Sequence, residues 1–65
     1  MNDGGLIQVF TRTEVVTLIV RVDDATTEAQ RLNKLAPARE LSCAITKLDE
    51  ARLWLKELAE QMGSK

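Results

Sequence analysis

The 65-residue chain has no histidine and no tyrosine, one cysteine, one proline, three glycines and two aromatic residues, Phe10 and Trp54. Without histidine it lacks the side chain most often used as a general base near neutral pH and the commonest metal ligand. One cysteine builds neither a disulfide framework nor a zinc site. Gly4-Gly5 stand alone near the start and Gly63 near the end, so no glycine-rich phosphate loop exists. No apolar run exceeds the length of Leu18–Val20, far below the roughly 18 residues that argue for a membrane span. A formal net charge of −1 argues against a dedicated binder of long nucleic acid, which needs a basic face. No signal-type pattern opens the sequence, so an intracellular, reducing location is expected.

What is there is 45% apolar and 29% charged, the composition of one small folded domain rather than a self-repelling disordered chain. Asp23-Asp24 and Asp49-Glu50 are adjacent acidic pairs. Neighbours on a helix point about 100° apart, so neither pair converges on one proton or metal. Neither a catalytic residue nor a metal or cofactor site is expected, and the chain does not read as an enzyme. Cys43 reads as a small buried or half-buried helix residue.

Thr11-Arg12-Thr13-Glu14 has the form of a capping box and predicts a helix start. Val15, Leu18, Val22, Ala25, Ala29, Leu32 and Ala36 then recur at steps of three and four, the seam of an amphipathic helix. The competing reading takes the β-branched stretch Val15–Val22 as a strand. No turn signal separates that stretch from the polar, alanine-rich sequence running to Leu35, which favours helix. Pro37 ends the first helix near Leu35 and fits the first turn of a second. Leu41, Ala44, Leu48, Ala51, Leu55, Leu58 and Met62 form its seam, and Gly63 is a natural stop. Asp49 with Arg52 and Lys56 with Glu60 are spaced for pairing along that helix. The expected organisation is an arm over 1–10 and a hairpin domain over 11–63, with helices over 12–35 and 37–62. The expected fold is all-α, an antiparallel hairpin of two long helices that oligomerises into a helical bundle. Oligomerisation is expected because Ile45, Leu53, Trp54 and Ala59 lie beside or off the second seam, and a hairpin this small roughly breaks even against chain entropy. Trp54, with Leu53 and Ile45, is the candidate interface anchor. The alternative places Trp54 in the intramolecular core.

Arg39, Ser42 and Thr46 share one stripe near the start of the second helix, with Lys47 following. Hydroxyls, a guanidinium and free amides at a helix N-terminus suit phosphate groups. A solvated stripe with Ser and Thr bonding back onto their own helix fits the same residues. Arg12 and Phe10 bring a second charge and a stacking face if the arm folds over the hairpin.

The run Arg39-Glu40-Leu41-Ser42-Cys43-Ala44-Ile45-Thr46-Lys47-Leu48-Asp49-Glu50-Ala51-Arg52-Leu53-Trp54 resembles the signature of the helical-hairpin domain shared by phage anti-CBASS and Thoeris anti-defence proteins. In that family a helix ending in a Leu-x-Pro turn precedes the motif helix, as Leu35-Ala36-Pro37 does here. The resemblance implies a non-enzymatic sponge acting in the host bacterial cytoplasm. It would sequester cyclic di- or trinucleotide or cyclic ADP-ribose signals uncleaved, as a homo-oligomer, dimer or hexamer, with pockets between protomers. Carried over by position, Arg39, Ser42 and Thr46 face phosphates, with Glu40 and Lys47 as second choices. The alternative function is a helical-hairpin module that binds a host protein through a patch centred on Trp54.

Overall fold

The computed structural model describes residues 9–63. Helix α1 runs over Arg12–Leu35 and helix α2 over Arg39–Gly63, packed antiparallel along a body of 47 × 23 × 17 Å. No strand occurs among the described residues, so Val15–Val22 is helical. Of the arm expected over 1–10, residues 1–8 lie outside the described residues, while Val9 and Phe10 are exposed. No helix among the described residues is long and apolar enough to cross a membrane.

The capping box at the start of α1 is complete. The Glu14 amide donates to Thr11 Oγ1 at 3.1 Å, and the Thr11 amide donates to Glu14 Oε1 at 2.9 Å. Two of the otherwise orphaned donors of the first turn are thereby satisfied. At the far end the Ala36 amide bonds the Leu32 carbonyl at 3.0 Å, and Ala36 is pushed out of the helical region (φ −147°, ψ 89°), as its position before Pro37 requires.

Helix α2 starts at Arg39 rather than at Pro37. Ala38 is its N-cap, with its carbonyl accepting from the Ser42 amide at 3.1 Å. The reason lies in α1: Asn33 Oδ1 accepts from the Ala38 amide at 2.9 Å. A side chain of the preceding helix thus takes the place that the fourth residue of a capping box usually fills, and it fixes where α2 begins.

The inward stripe of α1 is Val15, Ile19, Val22, Thr26, Ala29 and Asn33: the expected Val15, Val22 and Ala29 do face inward, whereas Leu18, Ala25, Leu32 and Ala36 are exposed. Both stripes have three-and-four spacing. The polar members of the observed one carry their own partners: Thr26 Oγ1 donates to the Val22 carbonyl at 2.9 Å, and Asn33 serves the turn. Asp23 joins Arg52 across the helices at 2.6 Å, so Arg52 pairs with α1 instead of with Asp49. On α2, Ile45 is half-buried where Ala44 was expected, and Ala44 is exposed. Only Val15 and Ala59 are fully buried among the described residues, at 5% and 4% exposure. Both lie at the open end of the hairpin. There Arg12 Nε donates to the Ala59 carbonyl at 2.9 Å, and a Cβ added at Gly63 would come within 2.7 Å of that nitrogen. Cys43, read from sequence as at least half-buried, is exposed.

Candidate functional site

The polar stripe of α2 begins at the turn. Arg39 occupies the first helical position and is exposed, with no ion-pair partner among the described residues. One turn on, Ser42 Oγ accepts from Asn33 Nδ2 at 3.4 Å, which leaves the hydroxyl proton available to an anion. Thr46 Oγ1 donates to the Ser42 carbonyl at 3.2 Å, the back-bonded arrangement common for a hydroxyl inside a helix; its oxygen can still accept. Lys47 pairs with Glu50 at 3.6 Å on an exposed face. Glu40 sits in the first turn of α2, where its charge complements the helix dipole and would oppose a second anion.

Arg12 and Phe10 are not near this stripe within one chain. They stand at the start of α1, about 36 Å along the helix from its end. Arg12 is engaged with the Ala59 carbonyl, and Phe10 lines a shallow apolar groove with Glu14, Val15, Leu18, Leu55 and Leu58. The two halves of the sequence-derived constellation thus occupy opposite ends of the molecule.

Beside the stripe, Thr27, Gln30, Arg31, Asn33 and Lys34 of α1 and Ile45 of α2 line an open groove of about 680 Å³, within the size range of small-molecule sites. These α1 residues were missed in the sequence. Their three-and-four spacing was visible, but it reads equally as a solvated helix face until the partner helix is placed. Arg31 holds Glu28 at 2.6 Å. That hydrogen bond, then the charge itself, lowers the Glu28 carboxyl pKa and raises that of the Arg31 guanidinium.

On the outer face of α2, Leu53 and Trp54 are 64% and 75% exposed. With Glu50 and Glu57 they line a groove of about 320 Å³. This exposure sets aside the reading of Trp54 as intramolecular core. Ile45 turns toward the larger groove instead, apart from the Leu53–Trp54 patch.

These features define a class: a helical hairpin with a polar, cation-bearing turn and an uncovered aromatic face. The family model of the Acb2/Tad1 hairpin domain matches residues 8–57, and the chain belongs to this family, which is known for sponging cyclic nucleotide signals and is not a known enzyme family. The match takes in all of α1, the turn and most of α2, including the stripe, the groove and Trp54. No curated protein and no solved structure matches the chain.

Proposed function

We propose that the chain is a phage-encoded anti-defence sponge that captures a cyclic oligonucleotide or cyclic ADP-ribose type immune signal in the host bacterial cytoplasm and holds it without cleaving it. The observation that carries this reading is the family match over 8–57, because it spans the turn and the phosphate-suited stripe of Arg39, Ser42 and Thr46. Capture without chemistry needs hydrogen-bond donors and charge at the ligand, and no general base. Ser42 and Arg39 supply the donors, and the first amides of α2 add the positive end of a helix dipole. Arg12 and Phe10 complete such a site only from a neighbouring protomer, since within one chain they are at the wrong end. A homo-oligomer also covers Leu53 and Trp54, whose apolar area is otherwise left in water.

A second reading is favoured by the same exposure of Trp54: a module that docks a host protein on this face. The two separate by substitution. Arg39→Glu is expected to weaken ligand capture at least tenfold in calorimetric titration while leaving the sedimentation profile unchanged. Trp54→Ala is expected to shift the assembly toward smaller species. Unchanged ligand affinity in Arg39→Glu would show that the stripe is not the site.

A further inference from the structure

The grooves of this hairpin differ in charge. The one at Leu53 and Trp54 carries Glu50 and Glu57, the one at Leu18 carries Glu14 and Arg21, and the one at Phe10 carries Glu14. The groove of about 680 Å³ near the turn carries Arg31 and Lys34 and no carboxylate in its lining. Lys34 has no ion-pair partner among the described residues. Glu28 takes the Nε and Nη2 donors of Arg31, which leaves part of the five-donor guanidinium fork for another anion.

The uncharged lining is suited to a nucleoside. Gln30 offers an amide, the group that matches the mixed donor and acceptor edge of a base, Asn33 has the Nδ2 hydrogen not given to Ser42, and Ile45 gives an apolar surface on the α2 side. Asn33 is already oriented. Its oxygen must face the Ala38 amide, a donor whose identity is unambiguous, so its nitrogen is the end turned toward Ser42. A donor held this way before ligand arrives loses little freedom on binding.

We infer that the α1 face Thr27–Gln30–Arg31–Lys34, with Asn33 and Ile45, is a nucleoside-phosphate subsite: Lys34 and Arg31 take the phosphate, Gln30 and Asn33 read the base edge, and Ile45 packs on its face. The inference rests on the sponge reading and moves part of the ligand from α2 onto the turn end of α1, where no residue was singled out in the sequence.

The test is a nuclear magnetic resonance titration of the isotopically labelled full chain with cyclic di-AMP, cyclic tri-AMP and cyclic ADP-ribose in turn, together with affinities of the Lys34→Gln and Gln30→Ala variants. The expected result is that a bound probe shifts the side-chain amide signals of Gln30 and Asn33 and the Ile45 methyl signals. Lys34→Gln should lower affinity five- to tenfold and Gln30→Ala by a smaller factor, with helical content unchanged. Binding that leaves those signals and both variants' affinities at wild-type values overturns the subsite while leaving the sponge reading standing. No binding of any probe overturns the sponge reading itself, and the subsite with it.

Discussion

The two ends of the hairpin are built on opposite principles. The open end holds the two fully buried residues, Val15 and Ala59, together with the Thr11–Glu14 box and the Arg12–Ala59 bond. At the turn no residue is fully buried. Its order comes from one polar side chain, Asn33, which holds the Ala38 amide and reaches Ser42. Cations gather there, with Arg31, Lys34 and Arg39 within the last turns of α1 and the first of α2. Labour is divided between the two ends: apolar packing and capping fasten the start of α1 to the end of α2, and the loosely packed turn keeps donors and charges in reach of solvent. A ligand-binding end cannot be as dry as a structural one, because buried donors without partners are costly in the free protein.

The largest expected effect tests the packed end. Val15→Asp puts a charge where 5% exposure leaves no room for water and is expected to cost roughly 3 kcal/mol or more. Thermal unfolding followed by circular dichroism at fixed protein concentration should show loss of most of the cooperative transition. At the turn, Asn33→Ala removes the partner of the Ala38 amide and should cost about 1–2 kcal/mol. Asn33→Asp keeps the accepting oxygen and is expected to recover most of that loss. Equal destabilisation by the two would mean that the Asn33–Ala38 bond does not set the start of α2.

A smaller effect concerns Glu28, an exposed carboxylate held by Arg31. Its pKa is lowered in the folded state by Arg31. The pair therefore supports the helix at pH above the unfolded carboxyl pKa and is lost as pH falls through the folded value. Glu28→Gln should differ slightly from wild type at neutral pH, less so in high salt. The difference should vanish in acid, below the usual carboxylate range.

Element ends were legible because they depend on local chemistry. The capping box needs only Thr11 and Glu14, and the break needs only Pro37. The inward face of α1 is only half legible: Val15, Val22 and Ala29 follow from spacing, but Leu18–Ala25–Leu32 and Ile19–Thr26–Asn33 have equal spacing and the first is the more apolar. The second places Asp23 and Asn33 against groups outside the helix: Arg52, 29 residues on, pairs with Asp23, and the Ala38 amide, just past the turn, bonds Asn33. The same rotation hides the basic groove, which exists only once Ile45 is set across from Gln30 and Lys34. Arg39, Ser42 and Thr46 could be read as one stripe from spacing alone, whereas the separation of Arg12 and Phe10 from that stripe follows from the antiparallel packing.

The proposed role is capture of a cyclic nucleotide signal without cleavage. Its most direct test is calorimetric titration of the purified chain with cyclic dinucleotides, cyclic trinucleotides and cyclic ADP-ribose isomers, followed by heat release and chromatography of what was bound. Submicromolar binding of at least one member and its recovery intact are expected, with a stoichiometry that reports whether pockets are shared between protomers. No heat from any member, or recovery of a linear or hydrolysed product, would contradict it.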